Sequence, residues 1–466
     1  MNNKIIRSKI FTIILITNFL LLFKLNNKFN IINYNLNNNK ELNKNYLKIQ
    51  NDINLKFKNK INKKIKIGIY TYCLKNGGLQ RLTSLMLKYF EKIKIYEIYL
   101  FTQLGKQSNE YTISNNITRI VIFEPRIKNL INQIILNDID ILIYNFYFPK
   151  EINILNNLKN ITVIFYIHQS IFYWIYFQYN SFKSLYAAYQ NSKYVISLVP
   201  FENDYLFKKW GIRSILMYNY ISYEYDSVIP SDLSSKIILM LGRAFDKLKR
   251  FDLGIMSMKY IVKEIPDCKM NILSKVFHND PLKKLVNKLK LSNYIQFLGY
   301  SSKPEIHFKN ASLHIFPSIS ESFGMVLSET KIYGIPNILI GLDYLSISLG
   351  GTIIVYDDNP ESIAKEAIII LKNYTYRKKL GKEARESMKQ FRNELILKKW
   401  NQLILSIYNG DNYYQLLRDK GPKISENYSM ELIKGQINLL KKRKTIFNNI
   451  TLQDLCNFTK MKNMKI

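Results

Sequence analysis

Cysteine and histidine are scarce in this chain, with three and four copies among 466 residues. Cys73, Cys268 and Cys456 are odd in number and far apart, which excludes a disulfide framework and a Cys-x-x-Cys knuckle. His168, His278, His307 and His314 include no pair at His-x-x-x-His spacing, so no helical zinc site is encoded. Glycine (17) and proline (11) are also few, and no Gly-x-Gly-x-x-Gly is present to support a nicotinamide-dinucleotide site. Acidic residues are outnumbered, 35 against 68 basic, for a net charge of +33. That excess would suit nucleic acid or an anionic membrane. No zinc-finger, RNP or basic-zipper pattern accompanies it, however, and Asn, Lys, Ile and Tyr are over-used everywhere. The charge therefore reads as composition bias, and no nucleic-acid partner is expected.

What is present is core-forming material: 47% hydrophobic and 14% aromatic residues, in a length that predicts two core domains plus extensions. Lys4, Arg7 and Lys9 precede the uncharged run Ile10 to Phe23, the order of a secretory signal or a membrane anchor. The run is shorter than a full span, which favours a signal. No small-residue cleavage site follows, which favours an uncleaved single-pass anchor over 1–24 with its lumenal or cytosolic orientation open. An Asn- and Lys-rich stalk over 25–63 comes next. Beyond it, strand-like segments (KIKIGIYTY, YEIYLFTQ, TRIVIF, DIDILIYNFYF, ITVIFYIHQS, SKYVISLVP) alternate with helical ones, the grammar of a parallel sheet covered on both faces. The irregular stretch Tyr220 to Ser235 reads as a linker. After it the grammar repeats from KIILMLGR onward. The expected fold is α/β: Rossmann-like, doubly wound domains over 64–225 and 236–410 facing across a cleft, then a helical tail over 411–466.

The chemistry concentrates in PSISESFGMVLSETKIYGIPNILIG, Pro317 to Gly341. Glu321 and Glu329 are separated by a mostly helical spacing of about 12 Å, too far for a proton-sharing pair and suited to two grips on one extended ligand. Phe323, Gly324, Met325 and Val326 place backbone amides at a helix start, a seat for phosphate or sugar oxygens. Upstream, LGRAFDKLKRFDLGI sets Arg243 and Lys249 beside a glycine turn, where a guanidinium fork and an ammonium can neutralise a leaving diphosphate. In the first half, Asn76-Gly77-Gly78-Leu79-Gln80-Arg81 follows the opening strand and starts a helix. Without Cβ atoms its backbone can approach an anion closely. Asp138-Ile-Asp140 looks like a metal-binding Asp-x-Asp, but it directly precedes an apolar strand and reads as a turn. His314, inside SLHIFPS, reads as core.

The Glu321-SFGMVLS-Glu329 signature, in its strand, loop and helix, resembles family 4 (group 1) of the retaining glycosyltransferases with the GT-B fold. The resemblance spans most of the body. It implies that Arg243 and Lys249 hold the donor diphosphate, Glu329 the donor ribose, and Glu321 with the amides of Phe323 to Val326 the sugar hydroxyls. It further implies that Gly77 and Gly78 lie near the donor phosphates and acceptor, and that YIQFLGY lines the nucleobase pocket. His168, at a strand's carboxyl end, would contact donor sugar or acceptor, with a packed structural histidine as the other reading. Ser274-Lys275 stands where relatives often carry glycines.

The resemblance thus implies a retaining hexosyltransferase-type enzyme; the N-terminal apolar run makes it membrane-anchored, and the reading of Asp138-Ile-Asp140 as a turn leaves it without metal or cofactor. Its substrates would be a nucleotide sugar, UDP- or GDP-linked, and a glycan, lipid-linked or protein-linked acceptor. The alternatives are a nucleotide-sugar epimerase or hydrolase on the same fold, and a non-catalytic basic binder of membrane surface or nucleic acid.

Overall fold

Near-continuous apolar strands must be buried on both faces, and in the computed structural model they form two all-parallel sheets. The structure describes residues 63–411 apart from 76, 160, 178, 278, 279 and 302, together with 432, 434–436 and 439. The expected anchor over 1–24, nearly all of the stalk and most of the tail lie outside these residues. Among the described residues no helix is long and apolar enough to cross a membrane.

The first sheet runs β1 (Ile65–Thr71), β2 (Tyr96–Thr102), β3 (Thr118–Val121), β4 (Ile141–Tyr144), β5 (Thr162–Tyr166), β6 (Tyr194–Ser197) and β7 (Ile215–Leu216) in chain order. In space the order is β3-β2-β1-β4-β5-β6-β7. Its helices are α1 (Gly78–Phe90), α2 (Arg126–Leu136), α3 (Pro149–Asn156), α4 (Ile171–Phe177), α5 (Tyr179–Gln190) and α6 (Pro200–Trp210). The second sheet contains β8 (Ile237–Leu241), β9 (Lys269–Leu273), β10 (Ile295–Phe297), β11 (Leu313–Phe316), β12 (Asn337–Ile340) and β13 (Thr352–Val355), ordered β10-β9-β8-β11-β12-β13. Its helices are α7 (Phe251–Glu264), α8 (Pro281–Lys288), α9 (Glu305–Phe308), α10 (Met325–Ile332), α11 (Pro360–Lys372) and α12 (Tyr374–Ser387).

Register follows burial. Ile67, Gly68, Ile69 and Tyr70 of β1 pair with Ile141 to Tyr144 of β4, and the whole of β1 pairs with β2 from Ile65–Tyr96 to Thr71–Thr102. The apolar run after β4 continues to Phe148, but the ladder stops at Tyr144. Beyond it Phe146 stacks on Phe148 with centroids 5.7 Å apart, and Pro149 opens α3. Aromatic packing and a proline at the first helical turn thus end a strand that hydrophobicity alone would extend.

Strand order reverses between β1 and β4 in the first sheet and between β8 and β11 in the second. Adjacent crossovers leave in opposite directions there, opening a crevice at the strands' carboxyl ends.

Helix α13 (Asn393–Asn409) returns to the first domain. Its Trp400 is fully buried, edge-on to Phe90 and Tyr166 at 5.7 and 5.5 Å. Asn393 accepts the Ile221 N–H at 2.8 Å and donates to the Tyr89 hydroxyl at 2.8 Å, while the Tyr96 hydroxyl donates to Asn401 at 2.6 Å. A fully buried indole wedged among aromatics is costly to truncate: Trp400→Ala should lose about 3–5 kcal/mol of stability, read from the chemical-denaturation midpoint. A loss under 1 kcal/mol would show that α13 merely rests on the first domain.

Candidate active site

Each loop that follows a reversal strand carries polar groups. After β8, Gly242 adopts φ 140°, a region that a side chain disfavours, and the chain turns into Arg243. The Ala244 N–H is bound by Ser274 Oγ at 2.9 Å. The serine that stands where relatives often carry glycine therefore closes this turn. Asp246 caps a short 3-10 turn by accepting the Leu248 N–H, and its other oxygen pairs with Arg243 at 3.2 Å. Arg243 stays 53% exposed on its side chain. Lys249, from the same turn, points instead to Glu321, with Nζ 2.5 Å from Oε1.

After β11 the chain passes through Glu321 and a buried Phe323 to Gly324 at φ 81°, which caps α10 without any side-chain hydrogen bond. The Tyr344 hydroxyl clamps the backbone of Glu321 from both sides, accepting its N–H at 3.3 Å and donating to its carbonyl at 3.0 Å. The amides of Met325 and Val326 belong to the first turn of α10, the positive end of its dipole.

From the first domain, Gly77 at φ 146° and Gly78 begin α1. A Cβ built on Gly78 would lie 3.6 Å from Met325 Cγ, so the glycine loop lies against the start of α10. One turn on, Arg81 meets Glu329 at 2.9 Å. Ser222 Oγ donates to the same Oε1 at 2.7 Å. Glu329 is 2% exposed. Burial opposes the charge on Arg81, but Glu329 and the Tyr111 and Tyr223 hydroxyls outweigh it and hold the guanidinium more firmly protonated than usual.

His168 lies just beyond β5, half-buried against Tyr166 with ring centroids 4.1 Å apart and Nε2 3.0 Å from Asn145 Oδ1. Burial pushes its pKa down to about 3, so the ring is neutral. These contacts stay within the first domain. The structure thus brings together Lys249 with Glu321, the Arg81 helix with Glu329, and Gly78 with Met325. It leaves the Arg243 side chain on Asp246 and His168 on Asn145.

Arg81, Ser222, Tyr223 and Tyr344 carry no role in the sequence reading. Arg81 stood inside the quoted glycine motif, and its place one turn into α1 was the available signal. Ser222 and Tyr223 fall in the stretch read as a linker, which packs tightly instead: Tyr220 and Ile221 are buried. His314 is buried as a core residue, bonded through Nδ1 to Asn337 at 2.6 Å and to Thr330 at 3.1 Å. Asp138 sits at φ 55° in a turn and Asp140 accepts the Lys66 N–H at 2.8 Å, holding the entry to β4. Among the described residues no three of His, Cys, Asp and Glu gather as a metal cluster.

Comparison with known proteins places this geometry. Residues 224–387 match the family described as glycosyl transferases group 1. A poly(glycerol-phosphate) alpha-glucosyltransferase of Bacillus subtilis (strain 168) is 25% identical over 229 residues, 47% of this chain but only 32% of that protein. Sucrose-phosphate synthase from Thermosynechococcus elongatus superposes with TM-score 0.62 at 16% identity, covering 75% of this chain and 100% of the other. Anabaena Alr3699/HepE, solved in complex with UDP and glucose, gives 0.60 at 14% identity over 73% and 100%. The shared fold is GT-B.

One further group supports the site from beneath. Lys331, on α10, is fully buried, and its Nζ donates to the Ile347 and Leu349 carbonyls at 2.6 and 2.5 Å. It thereby anchors the loop that carries Tyr344. Burial lowers its pKa to about 7, against about 10.4 for an unfolded lysine. Between these values the unfolded chain binds a proton that the folded chain does not. This residue's contribution to stability therefore rises with pH from about 7 to about 10, by up to about 1.4 kcal/mol per unit. Lys331→Met should remove that slope. Urea midpoints of wild type and variant at pH 7 and 9 check it, and a constant difference between them would refute the assignment.

Proposed function

We propose that this chain, which belongs to the group 1 glycosyl transferases, moves a sugar from a nucleoside-diphosphate donor to an acceptor hydroxyl with retention of anomeric configuration. The observation that carries the reading is the meeting of Lys249–Glu321 and Arg81–Glu329 beside the strand-order reversals of the two sheets. A uridine diphosphate donor is the form we favour, in keeping with the UDP and glucose bound by the Anabaena relative.

In this reading Glu329 accepts from the ribose hydroxyls. Both of its contacts described above fall on Oε1, so Oε2 is the natural acceptor. Glu321 and the amides at the start of α10 take sugar hydroxyls. Lys249 and Arg243 face the diphosphate. The bond between the anomeric carbon and the phosphate oxygen breaks while the acceptor oxygen bonds to the same face of that carbon. The acceptor proton passes to the departing phosphate oxygen, so no protein nucleophile is needed. Negative charge builds on the diphosphate as this happens, and cations placed beforehand act most strongly at that point. Lys249, drawn in by Glu321, is held ready, and Arg243 can leave the exposed Asp246 contact at little cost.

We assign the role of a divalent ion to these cations and to the α10 dipole, and attachment to a membrane to the N-terminal apolar run. The acceptor is a glycan, a lipid-linked saccharide or a protein-linked one. Lys249→Ala should lower kcat by about a hundredfold to a thousandfold and weaken UDP binding by calorimetry, while leaving the circular-dichroism melt cooperative. Undiminished turnover of a UDP-sugar would overturn the assignment.

A further inference from the structure

We infer that Asn145 is a positioning residue that sets the tautomer of His168: its Oδ1 accepts the Nε2–H, leaving Nδ1 as a bare acceptor for a substrate hydroxyl. What the ring meets rests on the glycosyl-transfer reading, whereas the tautomer rests on geometry alone.

Asn145 immediately follows β4, beside the strand-order reversal, and is 2% exposed. Its Oδ1 lies 3.0 Å from His168 Nε2, while its buried Nδ2 has no hydrogen-bond partner among the described residues. Leaving a buried donor unpaired is unfavourable, so the Oδ1–Nε2 bond is the polar contact that holds this amide in place. A neutral imidazole has one N–H and one lone pair. An amide oxygen can bind only the N–H, so the proton belongs on Nε2 and the lone pair on Nδ1.

A bare ring nitrogen attracts a hydroxyl hydrogen and repels a phosphate oxygen. At this position the site therefore selects a hydroxyl-bearing partner, a sugar or alcohol, over an anion. The anion-binding work stays with Lys249 and Arg243 across the crevice. The hydrogen bond that one ring nitrogen makes fixes which nitrogen carries the proton.

The test is the ring nitrogen spectrum of the full chain labelled with 15N-histidine. Four histidines give four ring spectra, and His168→Gln identifies the one required. Wild type should show Nε2 protonated and Nδ1 unprotonated near neutral pH. In Asn145→Leu the His168 signals should move toward a mixture of tautomers, with kcat for a UDP-sugar falling about tenfold, equal to about 1.4 kcal/mol. Asn145→Asp keeps the acceptor but adds a charge that favours imidazolium. It should retain activity at high pH and lose it as pH falls, a limb that wild type lacks. A wild-type ring protonated at Nδ1, or an Asn145→Leu chain with unchanged His168 signals, would overturn the inference. The wild-type spectrum decides the tautomer even if Asn145→Leu does not fold. Should the expected tautomer appear in a protein that transfers no sugar from any nucleotide donor, the glycosyl-transfer reading fails and the Asn145 assignment stands.

Discussion

An all-parallel sheet cannot be joined by hairpins, so every connection crosses a face of the sheet and every turn collects at one end or the other. Where strand order reverses, neighbouring turns diverge and leave a crevice. That constraint decides where chemistry can sit in this molecule. Gly77 and Gly78 follow β1, Asn145 follows β4, Gly242 to Lys249 follow β8, and Glu321 to Gly324 follow β11. These are the four strands at the two reversals. The site is a property of the topology first and of the residues second. Short polar loops suffice there because the strands beneath them are rigid.

Within the crevice the governing problem is the burial of charge. Glu329, Lys331 and Glu202 are buried in or near it, and the structure treats the three differently. Glu329 faces Arg81 across the domain boundary, so an opposite charge is supplied at contact distance. Lys331 receives only carbonyls, and burial lowers its pKa to about 7. Glu202, which accepts the Ile171 N–H at the start of α4, is pushed by burial up to about 8 and is mostly a neutral acid at neutral pH. Two of the three thus shed charge readily, as buried groups without an opposite charge do. The third is matched by a residue from the other domain, so the pair registers the glycine loop against α10.

The sheets were legible because their signal is local. Runs such as IKIGIY and YEIYLFT are apolar at nearly every position and can only be interior strands. The Glu321 to Glu329 segment was legible because strand, loop, glycine and helix follow one another without interruption. The Arg81–Glu329 pair was not, since it joins residues far apart in sequence and one arginine in so basic a chain carries no signal. Ser222 and Tyr223 were hidden for a different reason: irregular backbone containing a proline resembles a free linker, and only packing by Tyr220, Ile221 and Asn393 shows that it is pinned. Lys331 inverts the usual rule that lysine marks a solvent face. Its burial is dictated by two carbonyls in the loop after β12, a demand that is invisible until the loop is seen.

The basic excess sharpens this point. The chain has 68 basic residues; Arg81 and Lys249 are drawn to carboxylates at the crevice, and what distinguishes them is environment. Lys236 and Lys372 make ion pairs of 2.7 and 2.6 Å, nearly as short as Lys249–Glu321 at the site, yet they lie in solvent, where such pairs contribute little. Lys249 makes a similar pair with both partners largely buried. There water screens the field less, and a substrate anion entering the same space meets the ammonium at lower dielectric. A surface crowded with lysine can thus draw anionic nucleotides toward the molecule without selecting among them. Selection begins where the strand-order reversals force a cation, a carboxylate and a helix start into one partly buried space.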